Sequence, residues 1–175
     1  MINAGPLVRA LGVVGLIAAT AVTAMPAFAG PNEVALLKSY EGSWRGTGNV
    51  VGTDSEKVSC RMSLTDGNDD KVNYAGRCAL AGANLSINGT LAYIDSSSRY
   101  EGAMTSNVNF SGVAVGRKQG KGIVFNLKQR GTADASDMEI STSITLTPGV
   151  ITVFFSARDV NTGKVINATI PFARV

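Results

Sequence analysis

Histidine is absent from all 175 residues. That absence removes every mechanism that needs an imidazole, from Ser-His-Asp and Cys-His nucleophilic catalysis to His-ligated metal sites. Lysine and arginine are scattered and form no run of the kind that marks a nucleic-acid-binding or acidic-membrane-binding tail. Aromatic residues make up 6% of the chain, too few for the aromatic girdles of an outer-membrane barrel. Cysteine occurs twice, at Cys60 and Cys78, without the C-x-x-C spacing of a redox pair. No metal-ligand set and no cofactor motif is legible, so neither a metal nor a cofactor is expected.

What is present first is a leader. Arg9 is the only fixed positive side chain ahead of an apolar stretch from Leu11 to Met25, and Ala27 and Ala29 supply the small residues of an A-x-A cleavage site. The strongly apolar core falls short of the roughly 20 residues that a bilayer span needs. Residues 1–29 therefore read as an export signal cleaved after Ala29, which predicts a periplasmic mature chain without a transmembrane segment. No cysteine follows the site to carry a lipid. Removing the leader takes Arg9 with it and leaves 15 basic and 13 acidic residues, a net charge of +2. A single domain is expected. In an oxidising compartment two cysteines favour a disulfide.

Residues 30–40, "GPNEVALLKSY", are the one helical segment: Asn32 is placed to cap, Glu33 sits in the first turn, and Val34, Leu37 and Tyr40 share a face. From Trp44 onward, residues 41–175 carry a period of two, broken every eight to twelve residues by turn chemistry such as "DGNDD", "DSSS", "QGKG", "TPG" and "NTGK". The pattern predicts an all-β, antiparallel up-and-down barrel of about 8–10 strands. Candidate strands cover 43–51, 57–65, 71–80, 84–94, 98–105, 108–117, 122–130, 137–147, 150–158 and 164–174. No connection is long enough for crossover helices.

One hairpin has its register selected three ways. Folding the chain about "DGND" sets Cys60 against Cys78, Val58 against Leu80, Met62 against Gly76 and Leu64 against Tyr74, all on one face. Lys57, Ser59, Arg61, Ser63, Asn73 and Arg77 take the other face and meet water. A disulfide between Cys60 and Cys78 follows, contributing roughly 3 kcal/mol by restricting the unfolded chain.

Trp44 is the only tryptophan and sits in "GSWRGTG", after the helical segment and at the start of the first strand, sharing its face with Gly46, Gly48 and Val50. In the last strand Ile166, Ala168, Ile170, Phe172 and Arg174 share one parity, which directs Arg174 inward at the barrel end as a partner for the indole. The G-x-W opening after a helical turn resembles the calycins, the lipocalin-like barrels, in which an arginine near the chain's end lies across the tryptophan. Departures are the missing T-D-Y motif, a disulfide between neighbouring strands, and ten strands where a lipocalin has eight. The series "GSWRGTGNV", "VSCRMSL", "GRCAL", "RYEGAM" and "NVNFSGVAVGR" is similar to a group of uncharacterised exported proteins of Gram-negative bacteria. That likeness implies a periplasmic barrel and brings no activity with it.

Glu41, Glu56, Asp95 and Glu101 are the carboxylates available for acid–base work, but Glu41 and Glu56 fall at strand ends, Asp95 in a turn and Glu101 at an exposed edge, rather than as a convergent pair. No enzyme is expected. Arg117, Lys118 and Lys121 flank "QGKG" without a phosphate cradle. On the inward face Gly46, Gly48, Gly76, Gly89, Gly112 and Ala114 alternate with Met62, Tyr74, Tyr93, Phe110, Phe125 and Phe155. Small inward residues either open a cavity for a small apolar ligand, lined by those six large groups, or let the sheet bend tightly over a full core. Two functions remain open: a periplasmic binding or structural envelope module, and an inhibitor or chaperone-like factor that offers residues 30–40 and the loops to a protein partner.

Overall fold

The computed structural model describes residues 30–52, 56–80, 83–107, 111–133 and 136–175. The leader and Phe110 lie outside the described residues. Helix α1 (Gly30–Lys38) precedes ten strands: β1 (Gly42–Val51), β2 (Glu56–Asp66), β3 (Val72–Leu80), β4 (Ala83–Ile94), β5 (Arg99–Ser106), β6 (Ser111–Gln119), β7 (Gly122–Ala133), β8 (Ser136–Thr147), β9 (Val150–Asp159) and β10 (Val165–Arg174). Each strand pairs antiparallel with the next, and β10 returns to β1, closing the barrel. Closure leaves no free sheet edge, so every strand is paired on both sides.

The period of two sets the register. In β2 and β3 Cys60 lies opposite Cys78, Val58 opposite Leu80 and Leu64 opposite Tyr74, the pairing that the alternation selects. In β8 the inward row ends on Leu146, against Ile123 of β7 and Ile151 of β9. The closing seam is β1 against β10, with paired stretches at Trp44–Gly46 and at Val50–Val51. The gap between them coincides with Pro171, which has no N–H to give the ladder. Gly46 and Gly48 allow the strands to approach there: a Cβ on Gly46 would stand 2.7 Å from the Pro171 carbonyl, and one on Gly48 would collide with that of Thr169.

Helix α1 plugs the end where β1 begins, packing against β4. The helix starts at Gly30, so Asn32 is an exposed first-turn residue and not the cap. Asp95 stands at its start instead, with its carboxylate beside Gly30, where an acidic group suits the positive end of the helix dipole. Tyr100 donates its hydroxyl hydrogen to Glu33 Oε2, and Lys118 Nζ lies 3.0 Å from Glu33 Oε1. At the other end of the helix Lys38 pairs with Asp66 at 2.9 Å. Beneath the helix lie the most completely enclosed side chains: Leu37, Tyr40, Trp44, Val72, Tyr100, Ile123, Phe125, Leu146 and Ile151. Burying each large apolar group of this kind is worth about 1.5–3 kcal/mol. Tyr93 and Tyr100 meet edge to face at 5.0 Å, and Tyr100 and Phe125 at 6.1 Å.

Candidate functional site

The barrel has two unlike ends. At the α1 end the plug is fixed by directed bonds. The Trp44 indole N–H donates to the Tyr40 carbonyl at 3.0 Å, and the Tyr40 hydroxyl donates to the Leu146 carbonyl at 3.1 Å. Burial pushes the Tyr40 phenol above its ordinary pKa. The Arg174 guanidinium stands 4.7 Å from the Trp44 ring centroid and donates to the carbonyls of Glu41 and Ser39. Arg174 is exposed, so it covers the indole from the barrel end. The reason is its position as the last residue of β10, past the enclosed Phe172.

Toward the opposite end several inward rows are less covered, although Val58 and Cys60 of β2 and Ala157 of β9 stay buried there. Along β8, Leu146 is buried, whereas Ile144, Thr142, Ile140 and Met138 are each half-buried. Along β4, Leu91 is buried, and Ile87 and Leu85 are half-buried. Along β10, Phe172, Ile170 and Ala168 are buried and Ile166 is half-buried. The strands that continue toward this end therefore keep an apolar inner face without enough side chain to seal it. Within the barrel wall, Gly76 leaves space: a Cβ there would meet nothing closer than 3.8 Å.

The six large residues offered for a ligand pocket separate accordingly. Phe125 is fully enclosed in the floor, and half-buried Tyr93 packs on Tyr100 beside it. Met62 is half-buried and faces Trp44 across the β1–β2 pairing. Tyr74 lays its phenol over Gly89, where a Cβ would stand 2.5 Å from the hydroxyl, and donates to the Ala103 carbonyl at 3.1 Å. Burial pushes this phenol upward as well. Phe155 is half-buried on the inward face of β9, and Phe110 is outside the described residues. Leu85, Ile87, Met138, Ile140 and Ile166 share the less-covered end with Phe155. Their signal in the sequence is simply the continued alternation past the enclosed rows.

Cys60 and Cys78 are joined, with an S–S distance of 2.02 Å. Residues Gly30–Tyr40, considered as an insertion arm, are occupied with the barrel itself, since Leu37 and Tyr40 are buried beneath the helix. Glu101 is not an edge residue: β5 is paired with β4 and β6, and its carboxylate accepts from Arg99 Nε at 2.9 Å. Among the described residues no three His, Cys, Asp or Glu side chains gather to hold a metal ion. No helix among them is long and apolar enough to cross a membrane.

No family model and no curated protein matches the chain. Solved structures share its fold. The crystal structure of Rv2717c from M. tuberculosis superposes with a TM-score of 0.64 at 15% identity, covering 81% of this chain and 96% of that one. An S-type phycobiliprotein lyase, CPES from Guillardia theta, gives 0.48 at 14% identity over 83% and 93% of the two chains. A de novo designed fluorescence-activating β-barrel gives 0.41 at 10% identity over 79% and 96%. At 15% identity the likeness to Rv2717c shows the fold alone.

Proposed function

We propose that the mature chain is an exported, periplasmic binding module that takes a small apolar molecule into the barrel through the end opposite α1. One observation carries this reading: Leu85 and Ile87 of β4, Met138, Ile140 and Ile144 of β8, Phe155 of β9 and Ile166 of β10 are inward apolar residues that are only half-covered. An apolar guest would complete their burial, gaining about 25 cal/mol for each square ångström removed from water. The enclosed floor at the α1 end gives such a guest a fixed base, and the disulfide pins the β2–β3 wall beside it. The leader-like residues 1–29 and the likeness to exported Gram-negative proteins support the compartment.

The test uses N-phenyl-1-naphthylamine, whose fluorescence rises in apolar surroundings. Saturable binding is expected, lost when Leu85→Lys places a charge at the less-covered end and retained when Val113→Lys alters an exposed outward residue. Equal binding by both variants, or none by the unmodified chain, would remove the proposal. Native mass spectrometry of protein purified from its own host adds a second readout: a mass above the bare chain is expected.

A further inference from the structure

The wall formed by β1 to β4 carries three arginines in one row. Arg45 is directly opposite Arg61, and Arg61 is directly opposite Arg77, on three successive strands. All three are exposed and point outward. With strands about 4.8 Å apart, the row places three positive charges within about 10 Å. Like charges directly opposite one another destabilise a sheet. Several other cations are matched with acids, as at Lys38–Asp66, Lys118–Glu33 and Arg99–Glu101. Among the described residues none of the three row arginines has a carboxylate within ion-pair distance. The outward positions of β1 to β4 carry no Asp or Glu at all, only small, hydroxyl, amide, aliphatic and basic side chains.

Beside the arginine row runs a second outward row one pleat along, in which Ser43 faces Ser63, Ser63 faces Ala75 and Ala75 faces Asn88. These side chains are short, so the long arginines stand as one bank of a trough. A concavity of about 650 Å³ lies there, bounded by Arg45, Arg61, Arg77, Ser43, Ser63 and Asn88. Guanidinium groups present planar forks of N–H donors that match phosphate oxygens two at a time, and the hydroxyl and amide groups opposite add neutral donors. Three such forks in line suit a ligand with more than one anionic group.

We propose that this trough binds a multiply charged phosphate-bearing ligand on the outer wall of the barrel, with Arg61 as its centre. The charge that opposes the sheet in the free protein is matched when the ligand is seated. This site is independent of the apolar interior.

Sodium tripolyphosphate is the soluble probe, titrated calorimetrically into the full mature protein. Saturable binding with one ligand per chain is expected, weakened at least about tenfold by Arg61→Gln and unchanged by Lys128→Gln, which removes a cation from β7. A parallel arm measures sedimentation with phosphatidylcholine vesicles containing phosphatidylglycerol. Binding in that arm, lost in R61Q, assigns the phosphate to a lipid headgroup; binding of tripolyphosphate alone assigns a free phosphate compound. The thermal midpoint separates a ligand site from a structural device, because relieving like-charge repulsion should leave R61Q as stable as the parent or more so. No binding in either arm, or equal losses in R61Q and K128Q, would overturn the proposal. So would a lowered midpoint in R61Q.

Discussion

Trp44 must satisfy one donor and shield a wide ring, and neighbouring groups do so. The Tyr40 carbonyl takes the indole N–H, and the Arg174 guanidinium covers one face while handing its own hydrogens to two carbonyls left over near the end of α1. Arginine suits this task because its planar head can stack and donate at once. Arg174→Met keeps an unbranched apolar stem and removes the fork, leaving the Glu41 and Ser39 carbonyls to water. A loss of about 1–2 kcal/mol is expected from the exposed cation–π contact and the hydrogen bonds together. Trp44 is the only tryptophan, so its emission reports the site alone. The emission should move to longer wavelength and the urea midpoint should fall; an unmoved spectrum with an unmoved midpoint would place the guanidinium elsewhere.

The helix is the element whose stability is borrowed. Nine residues are too short to hold a helix in water, so α1 depends on Leu37 in the floor and on the polar contacts of Glu33 and Lys38. Burial pushes the Glu33 carboxyl upward, but hydrogen bonding from Tyr100 and the pairing with Lys118 outweigh it and hold the pKa below its ordinary 4.5. Burial, then the bond to Glu33, pushes the Tyr100 phenol upward, so that group stays a donor. A lowered carboxyl pKa means the unfolded chain takes up its proton first as pH falls. The contribution is therefore complete above the ordinary carboxylate range and disappears as pH drops through the folded value. Glu33→Gln should lower the unfolding free energy at pH 7 by about 1 kcal/mol, after allowing for solvent screening, read as a fall in the thermal midpoint. The gap between the two proteins should close as the pH falls below the ordinary carboxylate range. A gap that stayed constant with pH would show that the carboxylate charge is not what docks the helix. The strands were legible because each alternates by itself, whereas this network was not, since its partners lie on α1, β5 and β6 and meet only after closure. The acidic group at the helix start has the same cause: Asp95, which stands at Gly30, is distant in sequence, whereas Asn32, the capping residue that the local sequence offers, lies within the first turn.

At the scale of the whole molecule, strand count, direction and the β2–β3 register were readable from parity and turn residues, because each depends on neighbours in the chain. Two features were not. The change from sealed floor to half-covered end depends on how ten inward rows converge, and the arginine row arises because equal spacing of Arg45, Arg61 and Arg77 in the chain becomes adjacency across strands. Closure also decides what the disulfide does. Cys60 and Cys78 are separated by 18 residues, a loop whose restriction contributes roughly 3 kcal/mol. Yet β2 and β3 are held on their other sides by β1 and β4, so the ladder survives without the sulfur bridge. Replacing both cysteines with alanine, which leaves no unpaired thiol, should lower the thermal midpoint by roughly 10 °C for a domain of this size while leaving the far-ultraviolet dichroism of the barrel unchanged. Loss of the β-sheet spectrum in the double variant would mean that the bridge, rather than closure, holds the wall together.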